Sequence, residues 1–148
     1  MNKKALLRVI DFLTKHDVEF EITGTTALSL LGLPSSYTPN DIDIKAYELN
    51  KAQKAVLKQL EILSGLENPQ YDDTECYSFI VNSAKVNIIS SHKDIEETPV
   101  LEEMLFGTHG KRTFKVQRIR YALRDKMRLR RPKDLKYLID LFKNLSEL

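Results

Sequence analysis

The sequence predicts an α/β (α+β) domain, a small mixed β-sheet flanked by helices. Three observations lead there. Apolar residues switch between the helical period of 3.6 and the strand period of 2 along the chain, and the two kinds of segment alternate until a helix pair closes it. A chain of 148 residues is long enough for one core and short for two, so residues 1–148 are expected to form a single domain.

Leu6, Val9, Ile10 and Leu13 recur at i, i+3, i+4 and i+7, which predicts a helix over 3–15. "VEFEIT" (18–23) alternates apolar and acidic residues like a half-buried strand and runs into Gly24. "TALSLLG" predicts a short helix stopped at Gly32, and Pro34, Pro39 and Asn40 bound a loop. "DIDIKAY" (41–47) is a second strand, with Asp41, Asp43 and Lys45 on one face and Ile42 and Ile44 on the other. Asn50 and Gln53 have the spacing of a capping box, opening a helix striped by Ala52, Val56, Leu60 and Leu63. "CYSFIV" and "KVNIIS" predict a hairpin turning at Asn82-Ser83, which sets Ser78 opposite Asn87. Thr98-Pro99 is the expected start of a short helix through Phe106, and "RTFKV" of a last strand. The end reads as two helices, the second opening at Pro132 and striped by Leu135, Leu138, Ile139 and Phe142.

Composition excludes several classes. With 42% apolar and 30% charged residues the chain is neither disordered nor fibrous. Cys76 is the only cysteine, so no internal disulfide forms, and the scattered His16, His92 and His109 make no metal-binding pair. Arg8 and Asp11 interrupt the first apolar run, which rules out a signal-peptide core, and no apolar stretch approaches membrane-spanning length. A cytoplasmic protein without a membrane partner is the expectation. Charge is unevenly placed: residues 111–136 hold twelve Lys or Arg against Asp125 and Asp134, while the remainder holds eleven against nineteen acids. Such a segment suits a local anion, phosphate or nucleic acid, or simply pairs with the acidic remainder.

Asp41 and Asp43, two residues apart on a strand, project from one face about 7 Å apart along the backbone. Side chains of that length can converge on one divalent cation, and Mg²⁺ favours a few carboxylates completed by substrate phosphates. The alternative is a solvated strand face. Position favours the metal, because upstream lie a strand, a Gly24-Thr25 turn and a helix start, and Gly24 lets a phosphate approach the backbone closely. Lys126 falls on the apolar stripe of its helix with Ile119, Ala122 and Leu123, where an ammonium either snorkels or meets an anion. Asp134, in the first turn of the last helix, has a sufficient role in that helix's dipole.

"ITGTTALSLL", followed by the loop and "DIDI", resembles the signature of the DNA polymerase beta-like nucleotidyltransferase superfamily. It is similar in particular to the small bacterial members, the minimal nucleotidyltransferases with a "GGTAL … DIDL" core, and Lys126 with "RPKDLKYLIDL" resembles their C-terminal helix pair. The resemblance covers residues 20–46 and 118–142 and implies the nucleotidyltransferase fold. It implies that Gly24 and Thr25 hold the β and γ phosphates of a nucleoside triphosphate such as ATP, with Lys126 facing them, and that Asp41 and Asp43 hold Mg²⁺ or Mn²⁺. The implied reaction transfers a nucleoside monophosphate to an acceptor hydroxyl on a small molecule, protein or RNA. A homodimer or a partner protein is a further implication. The chain departs from the family at Thr25, where Gly or Ser is usual, and at Asn87, which stands where active members carry a third catalytic carboxylate. An amide brings neither charge nor a general base. Either the chain binds nucleotide through one metal, or a third acid comes from Asp72, Asp73 or Glu75. Two other functions remain: a catalytically degenerate regulatory module of toxin–antitoxin type, and nucleic-acid binding through 111–136.

Overall fold

The computed structural model describes residues 1–33, 41–66, 75–93 and 96–147. Helix α1 (Lys3–Lys15) leads to strand β1 (Glu19–Thr23), α2 (Gly24–Leu30), β2 (Asp41–Tyr47) and α3 (Lys51–Ser64). The hairpin β3 (Cys76–Val81) and β4 (Ala84–Ser91) follows, then β5 (Val100–Leu105), β6 (Lys111–Val116), α4 (Ile119–Leu129) and α5 (Pro132–Ser146). The six strands form one mixed sheet in the order β3-β4-β2-β1-β6-β5. β2 is antiparallel to β1 and parallel to β4, and β1 is parallel to β6.

Alternation along the strands divides the sheet into an apolar and a polar face. Ile42, Ile44 and Ala46 of β2 join Val86 and Ile88 of β4, Phe79 of β3 and Val116 of β6 in a buried core. The α1 residues at helical spacing, Leu6, Val9, Ile10 and Leu13, lie over it. Each large aliphatic side chain so buried stabilises the fold by about 1.5–3 kcal/mol. The opposite face carries Glu21, Thr23, Asp41, Asp43, Lys45 and Asn87, and the site lies there. Asn82 and Ser83 turn the β3–β4 hairpin with φ of 46° and 68°, the left-handed pair that a two-residue turn requires. The resulting register sets Ser78 opposite Asn87.

Three expectations are corrected. Residues from Val100 form a strand, because β5 pairs along its whole length with β6, from Val100↔Val116 to Leu105↔Lys111. In α3 the cap formed by Asn50 and Gln53 is present, but Ala52 and Leu63 are exposed and the buried positions are Leu57 and Glu61. The helix is turned so that the Glu61 carboxylate accepts from the Ser78 backbone N–H at 2.8 Å, covering an edge strand that would otherwise present an open donor. In α5 the buried residues are Asp134, Tyr137 and Leu141, while Ile139 is 69% and Phe142 71% exposed. The loop expected at Pro34, Pro39 and Asn40 lies outside the described residues.

Candidate functional site

The turn from β1 into α2 is held against the start of β2 by hydroxyls. Thr23 Oγ1 donates to the Asp43 carbonyl at 3.1 Å and Thr26 Oγ1 to the Asp41 carbonyl at 3.0 Å. Both threonines are buried, so each hydroxyl needs such a partner. The pair fixes Gly24 beside the two aspartates. Gly24 has φ of +64°, and a Cβ built there would lie 3.4 Å from Asp43 Oδ2. Any larger residue adopts that backbone with strain and narrows the approach to the carboxylate.

Asp41 and Asp43 share the polar face, partly exposed. Across the parallel ladder, Asp43 faces Asn87. Asn87 Nδ2 donates to Asp43 Oδ1 at 2.9 Å, and Asn87 Oδ1 accepts from Ser78 Oγ at 2.7 Å. An ionised carboxylate only accepts, so Asp43 dictates that the amide nitrogen faces it, and the Ser78 hydroxyl takes the oxygen side. Asn87 thus presents a donor to Asp43 where the resemblance implies an acid.

The Lys126 ammonium, only 7% exposed, donates to Thr25 Oγ1 at 2.7 Å, lies 3.6 Å from Asp134 Oδ1 and sits 4.7 Å from the centre of the Tyr137 ring. Burial lowers its pKa, with Asp134 acting against that shift. Asp134 is fully buried; burial alone raises its pKa, but the Arg131 guanidinium at 2.7 Å and the Lys126 charge hold it below the ordinary carboxylate value. The role read from sequence, a dipole contact, understates Asp134. It is the counter-charge of the site lysine, and the spacing of the helix alone gave no sign of a partner on another element.

Gln117 was missed altogether. Buried at the end of β6, it accepts from the Gly24 N–H at 3.3 Å and donates to Asp125 Oδ2 at 2.9 Å. The structure therefore gathers Gly24, Thr25, Asp41, Asp43, Asn87 and Lys126 around one turn. Glu75 does not join them: it pairs with Lys54 at 3.0 Å and with the Tyr77 hydroxyl at 3.2 Å, on the apolar side of the sheet. Asp72 and Asp73 lie outside the described residues.

The donor set fits a magnesium nucleotide. Two partly exposed carboxylates and a glycine that leaves its side open suit a cation whose remaining oxygens come from phosphates. Among the described residues, no group of three or more His, Cys, Asp or Glu could hold a metal ion without such help.

Half of the basic residues in 111–136 are already paired. Lys111 meets Glu103, Arg112 meets Asp11, Lys115 meets Glu19, Arg124 meets Glu97, and Lys126 and Arg131 meet Asp134. Among the described residues no helix is long and apolar enough to cross a membrane.

No family model matches the chain, and no curated protein does. The fold is similar to a crystal structure, at 1.87 Å resolution, of a candidate nucleotidyltransferase from Thermotoga maritima. The TM-score is 0.57 at 20% identity, covering 100% of this chain and 97% of that one. At that identity the likeness shows the fold, a nucleotidyltransferase-like mixed sheet flanked by helices.

Proposed function

We propose that this chain binds a nucleoside triphosphate with one Mg²⁺ and that transfer of a nucleoside monophosphate to an acceptor hydroxyl is the reaction its site supports. The observation that carries the proposal is the left-handed Gly24 turn, where an added Cβ would lie 3.4 Å from Asp43 Oδ2, with Asp41 on the same strand face. Asp41 and Asp43 would hold the cation, Gly24 and Thr25 the β and γ phosphates, and Lys126 the charge nearest Thr25. Mg²⁺, when bound, neutralises charge on the triphosphate as it shifts during transfer. In the reaction the acceptor oxygen bonds to the α phosphorus while the bond to the α–β bridging oxygen breaks. Pyrophosphate leaves with that electron pair, and the hydroxyl proton passes to water. The protein's part is to hold these groups in line and counter their charge.

Asn87 supports a second reading, a binding or regulatory module with little turnover. Its amide is committed to Asp43 and Ser78, so no general base stands at that position. Nucleic-acid binding has less behind it, because six cations of the basic segment already have carboxylate partners. Calorimetric titration with ATP, CTP, GTP and UTP plus Mg²⁺ tests the proposal. At least one should bind and fail to bind the Asp41→Ala/Asp43→Ala variant; no binding to any of the four would sink it. Pyrophosphate release then separates transferase from module.

A further inference from the structure

The sheet has two outer strands, β3 and β5, and the fold treats them differently. On β3 the outward donors are taken by α3: the Ser78 N–H goes to Glu61 Oε2 at 2.8 Å and the Ile80 N–H to Ser64 Oγ at 3.1 Å. That edge is covered. On β5 the ladder to β6 closes with the Phe106 N–H on the Gly110 carbonyl. Alternation in an antiparallel pair then turns the backbone of Val100, Glu102 and Met104 toward β6 and leaves that of Leu101, Glu103 and Leu105 facing outward. Among the described residues no backbone group bonds these three.

Native proteins blunt an open edge with proline, lysine, a bulge or a covering element. β5 uses none of the four. It pairs with β6 without interruption from Val100 to Leu105, and "VLEEML" contains neither proline nor lysine. The side chains beside the free backbone groups are Leu101, 67% exposed, and Leu105, 64% exposed. Glu103 is the one charge between them, and the Lys111 ammonium meets it at 3.2 Å. An apolar, unblunted edge of this kind is a template for another strand.

We infer that the strand it takes is β5 of a second copy, antiparallel about a two-fold axis at Glu103. The outward residues read Leu-Glu-Leu in either direction, so the edge complements itself. With Glu103 opposite its own copy, Leu101 falls opposite Leu105 of the second copy, and Leu105 opposite Leu101. Each facing pair exchanges two backbone hydrogen bonds, and four exposed leucines leave water. The two carboxylates meet at the axis, where like charges alone would repel, but each brings its Lys111 and the four charges cancel. The pairing also closes. Each chain spends its one open edge, α3 covers the other, and assembly stops at two. The candidate site lies on β1 and β2, with β6 between it and β5, so this interface does not rest on the transferase reading.

Sedimentation velocity of the whole chain over a range of concentrations provides the test. A reversible monomer–dimer equilibrium is expected, with no larger species. Glu103→Pro is the diagnostic variant, because it removes an N–H that faces outward and costs the β5–β6 ladder no bond. It should fold, as judged by circular dichroism, and stay monomeric. Glu103→Gln, which keeps the N–H and removes the like charges, should dimerise at least as tightly as the native chain. Leu101→Ala acts twice across the axis and should raise the dissociation constant about tenfold. If Glu103→Pro fails to fold, the exposed Leu101→Lys replaces it and should also be monomeric. A native chain that is monomeric throughout, whether its edge stays open or takes a strand of another protein, would overturn the inference. So would a dimer that survives Glu103→Pro or Leu101→Lys, or an assembly that grows beyond two.

Discussion

At the residue scale the decisive contact is a short chain of hydrogen bonds, Ser78 to Asn87 to Asp43. It gives Asp43 a fixed donor and leaves the site one carboxylate short of three. Asn87→Asp tests what that amide does. Without a cation, two ionised carboxylates would face each other at the 2.9 Å now spanned by a hydrogen bond, a loss of about 1–3 kcal/mol. Thermal unfolding in a chelator should fall accordingly, and Mg²⁺ should restore more stability to the variant than it adds to the native chain. Equal melting of both in chelator would refute this account. Gly24→Ala should lose about 1 kcal/mol from the left-handed backbone and weaken triphosphate binding, as followed by denaturant unfolding and calorimetry. These residues were legible because their signature is local: Gly24, Asp41 and Asp43 lie in one stretch, and a two-residue turn fixes Ser78 against Asn87. Gln117 and the threonine hydroxyls were not, since a polar side chain gives no sequence signal of which distant backbone group it will meet.

At the scale of elements, the ion pair between Lys126 and Asp134 decides how α5 lies. Asp134 and Tyr137 must both reach the ammonium, and turning the helix to bring them inward puts Leu135, Ile139 and Phe142 outside. Counting apolar residues chose the wrong stripe because it gave a buried carboxylate no weight. Asp134→Asn should cost about 3–5 kcal/mol in denaturant unfolding by leaving the lysine buried without its counter-charge. Adding Lys126→Met should recover part of the loss, the coupling expected of contacting residues; additive losses would contradict it. The α3 stripe erred for the same reason, since Glu61 turns inward to serve the Ser78 N–H. For β5, Pro99 was read as a helix start, whereas pairing with β6 was stronger. The two strands are joined by residues 106–110 alone, but the apolar residues of "VLEEML" do not alternate, so period did not separate strand from helix there.

For the whole molecule, alternation and period placed every strand but β5 and left the domain's layout readable: helix over one face, chemistry on the other. The charge asymmetry was visible too, and its resolution was structural, because acids from α1, β1 and β5 pair with the basic segment. The face that holds the site also sets a pH dependence. Burial raises the Glu21 carboxyl above its ordinary value of 4.5, with the Glu97 charge adding to that and Tyr47, Lys45 and Lys115 opposing it. Between 4.5 and the raised value the folded chain holds a proton that the unfolded chain has lost. Stability therefore falls as pH climbs through that window, and Glu21→Gln should flatten the decline in unfolding free energy measured across it. An unchanged slope would show that Glu21 titrates alike in both states.

A one-cation nucleotide site on Asp41 and Asp43 is open to Mn²⁺ titration in the presence of a nonhydrolysable triphosphate, read by electron paramagnetic resonance. One Mn²⁺ per chain should bind, depend on the nucleotide and disappear in Asp41→Ala/Asp43→Ala. Two ions per chain, or binding that survives loss of both aspartates, would contradict it.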